Sequence, residues 1–297
     1  MSITSIRTRI ANLSVLSWLL IISILLLIVT SIVWWNVVYQ SPRNVFNGMI
    51  KNNFATSGYT RHVVSKENGL NADELAQVQT GGENIVRTKT TLKQEGDTVT
   101  TDAISTDKAE FVRYTNIDTS RKDANGKQLD FSKAVNVWAK NETGGPSQTF
   151  SQMLLGVVPM GNVDPKTRAE LIKFMDKHTV FSVNYDSVKT EKINGRKAYV
   201  YEVQLLPQTY VEMLKLYGKG VGLGDQVSQL DPAKYVDAQP TSLTLGIDAN
   251  SRNLVTLSYP GNDSRKETYS GYGIVKDVQL PKKTIPAAEL QKRLSTQ

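Results

Sequence analysis

Few residues in this chain combine the types and spacing that enzyme chemistry requires. The two histidines, His62 and His178, fall in a predicted strand and at a predicted helix C-terminus, without the H-x-x-x-H or Cys–His spacing of a metal site. The run 105–108 matches the S-x-x-K pattern of Ser–Lys nucleophiles, but it lies in a strand-to-turn segment, whereas that chemistry places the serine at a helix start. The sequence therefore predicts no enzyme, no catalytic residue, no metal site and no cofactor.

Composition excludes further classes. The chain has no cysteine, so it has no disulfide, no thiolate nucleophile and no acylated cysteine anchor. Its formal charge is +7, but the basic residues are scattered, which argues against nucleic-acid binding. A solvated basic surface and a mild attraction to anionic lipid or polymer both fit this charge.

One apolar run organises the chain. Residues 10–42 contain no charged residue and no histidine, and a helix needs about 20 apolar residues to cross a bilayer. Trp34, Trp35 and Tyr39 lie at one end, where an aromatic belt would meet the headgroups, and Arg7 and Arg9 precede the run. The alternative, a cleaved signal peptide, has a shorter apolar region and small residues at its cleavage site. An uncleaved anchor is therefore predicted.

The charges that flank the run are nearly balanced, so orientation follows from the long domain, which translocates largely regardless of charge. The predicted organisation is a cytoplasmic tail (1–12), a transmembrane helix (13–39), an extracytoplasmic domain (42–285) and a C-terminal tail (286–297). The predicted location is the cell membrane, crossed once. Oligomeric state is not predicted.

The domain has an α+β pattern, with helices segregated from strands that short polar turns connect. Asn194–Gly195 is the strongest two-residue hairpin signal. The predicted strands are 59–66, 85–93, 98–105, 110–117, 135–140, 180–189, 197–205, 241–247, 253–259 and 267–275. The predicted helices are 42–56, 73–79, 148–158, one that starts at Asp164, and 207–217.

Apolar helical stripes are the remaining candidates for a functional site. Methionine suits irregular apolar ligands, so one stripe could line a cavity, although such stripes usually face a core. The residues of this stripe are Phe150, Met153, Leu154, Val157 and Met160.

A second stripe lies in a possible lid over residues 207–240. Its residues are Tyr210, Met213, Leu214 and Tyr217. Glycines at 218, 220, 222 and 224 predict a flexible loop after this helix, which would let the lid move. A surface loop without function is the alternative.

The segment from Asn194 to Val203 (N-G-R-K-A-Y-V-Y-E-V), followed by a helix and a final meander, resembles the LolA and LppX-like proteins. The helix 42–56 and the run L-T-L-G-I-D at 243–248 also fit. The resemblance implies a half-open, strongly curved antiparallel barrel covered by helices. It also implies a cavity that holds lipid in carriers, while related domains act as envelope-stress sensors. The missing acylated cysteine departs from the lipoprotein members, and the membrane helix would replace it.

Two functions therefore remain open. The first is a membrane-anchored extracytoplasmic module that binds lipid, lipoprotein or another apolar ligand. The alternative is a protein-interaction or envelope-sensor domain without a lipid ligand. An enzyme such as a cell-wall hydrolase is the third and weakest hypothesis, because the sequence has no acid/base or nucleophile constellation.

Overall fold

The computed structural model describes residues 15–81, 84–122, 124–142, 145–275 and 278–295. Helix α1 (Val15–Val33) continues into a π-helical segment (Trp34–Tyr39). The stretch Trp18–Tyr39 has a mean hydropathy of 2.5, and none of it is buried against the rest of the described chain. Its length and composition suit a membrane span, and a signal sequence shares these properties. The predicted tail 1–12 lies outside the described residues.

Helix α2 (Pro42–Asn53) begins three residues after the π-helical segment ends. Ser41 caps it by accepting a hydrogen bond from the Asn44 backbone, and Pro42 occupies the first turn, where its missing N–H costs nothing. One apolar stripe of this helix is buried, so the helix packs on its own domain. The buried residues of the stripe are Val45, Phe46, Met49, Ile50 and Phe54.

The described strands form one sheet of thirteen members. They are β1 (Gly58–Glu67), β2 (Leu70–Gln79), β3 (Ile85–Gln94), β4 (Asp97–Ser105), β5 (Ala109–Asp118), β6 (Ala139–Glu142), β7 (Phe181–Val183), β8 (Lys189–Ile193), β9 (Arg196–Leu205), β10 (Thr241–Asp248), β11 (Leu254–Tyr259), β12 (Asn262–Ser270) and β13 (Ile285–Pro286).

The spatial order is β13-β6-β5-β4-β3-β2-β1-β12-β11-β10-β9-β7, and β8 also pairs with β9. The sheet is therefore open at both ends. Most neighbours are antiparallel, but β13 runs parallel to β6, so the prediction of a purely antiparallel sheet is wrong for this pair. The parallel pair arises because β13 returns from the end of the chain rather than through a hairpin. The prediction of an α+β fold is confirmed.

Five further helices complete the described domain. They are α3 (Gln148–Leu154), α4 (Pro165–Lys177), α5 (Pro207–Gly220), α6 (Gly224–Ser228) and α7 (Ala287–Ser295). Short 3-10 turns occupy Tyr185–Ser187 and Pro232–Tyr235. The main core lies where α2, α3 and α5 meet the sheet, and Tyr201, Tyr217 and Leu245 are completely buried there. Helix α7, in the stretch predicted as a C-terminal tail, buries Leu290 in a small separate cluster.

The prediction of a helix at 73–79 is wrong, because these residues belong to β2. Asn68 and Gly69 have φ of 49° and 79°, the left-handed backbone that a two-residue hairpin requires. The turn folds β2 back on β1, and β3 then pairs with its other edge. Hydrogen bonds to two neighbouring strands outweigh the weak helix preference of Ala and Glu in this segment.

Other boundaries also differ from the predictions. The predicted strand 180–189 is interrupted by the 3-10 turn, so β7 and β8 pair separately with β9. The helix predicted at 148–158 ends at Leu154. Gly218 and Gly220 belong to α5 rather than to a loop. A Cβ on Gly218 would meet Val227, and one on Gly220 would meet Val163, so these two glycines permit close packing.

Candidate functional site

A cavity of about 480 Å³ lies between one face of the sheet and the segment that starts with α3. The sheet contributes alternate residues of neighbouring strands, such as Tyr59, Arg61 and Val63 on β1, because residues two apart share a face. Strands β2, β3, β11 and β12 contribute further residues in the same way. The volume falls in the range of roughly 300–1,000 Å³ that is usual for small-molecule sites.

The opposite wall is the end of α3 and the segment after it. Ser147 caps α3 by accepting a hydrogen bond from the Phe150 backbone at 3.1 Å. The hydroxyl of Tyr59 donates to the Met153 carbonyl at 3.0 Å, and the hydroxyl of Tyr210 donates to the Gly156 carbonyl at 2.8 Å. These two bonds tie the wall to β1 and to α5, so its apolar side chains face the sheet across the cavity.

Of the residues predicted to line a cavity, Met153, Val157 and Met160 do so. Phe150 and Leu154, on the same stripe, instead belong to the hydrophobic core and are almost completely buried.

The lid stripe does not line the cavity either. Met213, Leu214 and Tyr217 are buried in the core, and Tyr210 packs against the core and donates its hydroxyl to the wall. Contact with a ligand stays a prediction for the three residues that do line the cavity.

A charged cluster lies on the sheet side of the cavity. Glu267, only 3% exposed, accepts hydrogen bonds from Arg61 Nε at 2.7 Å and from the Tyr269 hydroxyl at 2.7 Å. Its second oxygen accepts from Arg265 Nε at 3.0 Å and Nη2 at 2.9 Å. Arg61 also lies 3.6 Å from Glu74. Two arginines and two glutamates thus balance one another at the cavity.

Burial works to raise the pKa of Glu267, since a buried carboxylate loses its hydration. The hydrogen bond and the charge of Arg61, with the Tyr269 hydroxyl and Arg265, outweigh this effect and hold the pKa of Glu267 below its usual value. Glu267 is therefore ionised at neutral pH and acts as an acceptor only. The cavity combines an apolar wall with a charged, hydrogen-bonded opposite side, which suits an amphiphilic ligand.

Sequence reasoning missed this cluster because Arg61 and Glu267 lie 206 positions apart. They meet only because β1 pairs with β12, in a register that places Arg61 opposite Tyr269 and Val63 opposite Glu267. The alternation of side chains along β1 does contain a signal for the charged cluster. Arg61 shares its strand face with Tyr59 and Val63, and a charge at a buried strand position requires a partner.

The residues first considered for chemistry lie apart from the cavity. His62 bonds to Asp73 at 2.9 Å on the other face of β1, and His178 stacks on Phe174. Ser105 ends β4 and donates to Glu110 at 3.2 Å, so the serine of the S-x-x-K run does not begin a helix. Among the described residues, no three His, Asp or Glu side chains are grouped to hold a metal ion.

Comparison with known proteins shows a similarity to solved structures and no match among families or curated proteins. No protein-family model matches this chain, and no curated protein matches it. Among solved structures, the chain is similar to LprF from Mycobacterium bovis, with 12% sequence identity and a TM-score of 0.43. The similarity covers 80% of this chain and 96% of LprF.

Proposed function

We propose that this chain is a membrane-anchored module that binds a lipid or another apolar ligand in the cavity beside α3. One observation carries the proposal: an apolar wall with Met153, Val157 and Met160 faces a charged cluster across about 480 Å³. Methionine and valine suit a flexible hydrocarbon chain. Arg265, whose side chain is 41% exposed, offers a partner for a polar or anionic end group.

The proposal includes the organisation of the chain in the cell. Residues 13–39 form the anchor, residues 1–12 stay in the cytoplasm, and the domain 42–285 with the C-terminal segment 286–297 lies outside. The apolar composition and exposure of Trp18–Tyr39 support the anchor, because an exposed apolar helix of this length requires a non-aqueous environment. In this proposal, the open sheet of the domain is the half-open barrel of a LolA or LppX-like domain.

Photo-crosslinking tests ligand binding with the full-length chain in its own membrane. Cells that produce the chain are supplied with a fatty acid that carries a diazirine and an alkyne. After irradiation, the crosslinked peptides are mapped by mass spectrometry. We expect adducts on the peptide that contains Met153, Val157 and Met160, and also on the peptide that contains Trp34 and Trp35.

The variant Val157→Trp provides the sharpest comparison, because a larger side chain would fill the cavity from its wall. We expect it to lose most wall adducts while it keeps those on the apolar helix. Val236→Trp is the matched control, since Val236 is 59% exposed and does not line the cavity. Adducts on the helix alone in the wild-type chain would refute lipid binding and favour the sensor alternative. Recovery from cells of a mature N-terminus beyond Gln40 would refute the anchor.

A further inference from the structure

The end of the apolar helix is bound to the domain through Gln40, which is 8% exposed. Its side-chain nitrogen donates to Asn250 Oδ1 at 2.7 Å, and its side-chain oxygen accepts from Lys197 Nζ at 3.5 Å. Its backbone carbonyl accepts from the Tyr199 hydroxyl at 2.9 Å. Because backbone and side-chain groups of Gln40 are all engaged, the domain has a fixed position beside the helix end.

Arg252 strengthens the same connection. Its guanidinium lies 3.7 Å from the centroid of the Tyr39 ring and donates to the Tyr39 carbonyl at 2.9 Å. A cation is favoured at a helix C-terminus, where carbonyl groups lack partners. Tyr39 stacks on Trp35 with ring centroids 4.4 Å apart. Tyr and Trp at the end of a membrane helix lie among the lipid headgroups, so Arg252 would lie there too.

Two turns of the domain contact each other beside Gln40, at the membrane end of the domain. One is the hairpin turn between β8 and β9, and the other is the turn between β10 and β11. The Ala249 backbone N–H in the second turn donates to the Lys197 carbonyl beside the first at 3.0 Å. Since Lys197 and Asn250 both bond Gln40, the two turns face the membrane side of the domain. We refer to them as the junction turns.

The hairpin of the junction turns is strongly basic. Between Lys189 and Lys197 it has four basic side chains and one acidic side chain, Glu191. Lys192, Arg196 and Lys197 are all exposed. The nearby carboxylate of the second turn, Asp248, is 4% exposed and accepts hydrogen bonds from that turn's own backbone, so it faces inward. The exposed charge on this side is therefore net positive.

We propose that the junction turns bind anionic phospholipid headgroups, with Lys192 and Arg196 as the principal contacts. The proposal rests on the anchoring part of the proposed function, since the bilayer places the lipid phosphates at the level of Tyr39. Basic residues beside a membrane helix attract anionic lipid, and arginine matches phosphate with paired N–H groups. The attachment through Gln40 and Arg252 holds Lys192 and Arg196 at the level of the headgroups. The backbone of the junction turns therefore loses little conformational freedom on binding.

Native mass spectrometry of the full-length chain tests this proposal. The chain, purified in a non-ionic detergent, is titrated with phosphatidylglycerol or with phosphatidylcholine of the same acyl composition. We expect the wild-type chain to retain phosphatidylglycerol preferentially. The double variant Lys192→Gln/Arg196→Gln should weaken this binding about 30-fold, since each basic residue near the lipid contributes about fivefold.

The matched control is Lys66→Gln/Lys93→Gln, which removes two exposed charges from β1 and β3, outside the junction turns. We expect this control to bind phosphatidylglycerol as the wild-type chain does. Equal retention of the two lipids, or equal binding by both double variants, would overturn the proposal. Val157→Trp separates this site from the cavity: it should remove wall adducts without weakening phosphatidylglycerol binding. A parallel loss of both in Val157→Trp would overturn a separate headgroup site.

Discussion

Replacement of Glu267 by glutamine would remove the carboxylate that accepts the 2.7 Å hydrogen bond from Arg61 at the cavity. Glutamine keeps a similar shape, but its NH2 group replaces one of the two acceptor oxygens, so it faces either Arg265 or Arg61 with the Tyr269 hydroxyl. Arg61 is only 16% exposed, so water would not fully replace the lost carboxylate. Arg265 is 41% exposed and can turn to solvent. The destabilisation should therefore come mainly from Arg61.

The expected magnitude follows from these contacts. Removal of one partner of a buried ion pair typically costs about 3–5 kcal/mol, because an unpaired charge remains. Glu74 stays 3.6 Å from Arg61, so we expect the lower end, about 3 kcal/mol. For a domain of this size, the melting temperature should fall by about 6–12 °C. Glu74→Gln is the matched control and should cost less than about 1 kcal/mol, since Glu74 is 29% exposed.

The pH dependence has a defined sign. The pKa of Glu267 is lower in the folded protein than its usual value of 4.5, so its stabilising contribution is complete above that value. It is lost as the pH falls through the lowered pKa, because the carboxyl group then takes up a proton in the folded state. The wild-type chain and Glu267→Gln should thus differ most near neutral pH and converge in acid.

Thermal unfolding of the detergent-solubilised full-length chain, followed by near-ultraviolet circular dichroism, measures this difference. Melting temperatures of the wild-type chain, Glu267→Gln and Glu74→Gln are compared from neutral pH down to the acid limit of folding. A melting temperature for Glu267→Gln equal to that of Glu74→Gln would refute the assignment of a structural role to the cluster. A difference that stays constant into acid would refute the assignment of a lowered pKa.

Two further predictions use the same unfolding assay. Gly195→Val should destabilise the domain by about 1 kcal/mol or more, because Gly195 has φ of 78° beside Asn194 at 51°; an unchanged melting temperature would contradict this. Tyr199→Phe should cost about 1 kcal/mol, since it removes the hydroxyl that donates to the Gln40 carbonyl, and faster hydrogen exchange at residues 39–41 should accompany the loss. Exchange as slow as in the wild-type chain would show that this bond does not hold the helix end.

Some hairpin turns of this domain are predictable from the local sequence. Asn194–Gly195 predicted the β8–β9 turn, and both residues have the positive φ expected of it. The same dipeptide at Asn68–Gly69 makes the β1–β2 turn, but the Ala and Glu content of the following segment favoured a helix. The difference lies in the tertiary structure: β2 gains hydrogen bonds on both edges, which a local pattern does not reveal.

Only the part of the cavity that lies within one segment of the sequence was predictable. Met153, Val157 and Met160 lie within one short segment, so their apolar spacing identified one wall of the cavity. The opposite side requires the pairing of β1 with β12, strands at opposite ends of the domain sequence. No periodicity within either strand specifies that pairing. The charged half of the cavity therefore depended on the register of the sheet, which only the complete fold defines.

Helix α2 connects the membrane side of the domain to the cavity wall. Its first turn follows Gln40, which the junction turns hold, and its stripe is packed in the core. At its far end, the Asn53 carbonyl accepts from Gly161 N–H at 2.8 Å, and the Phe54 carbonyl accepts from Val163 N–H at 3.0 Å. Gly161 follows Met160 of the wall. Because close-packed cores deform little, α2 and these two backbone hydrogen bonds fix the position of the wall relative to the membrane side of the domain.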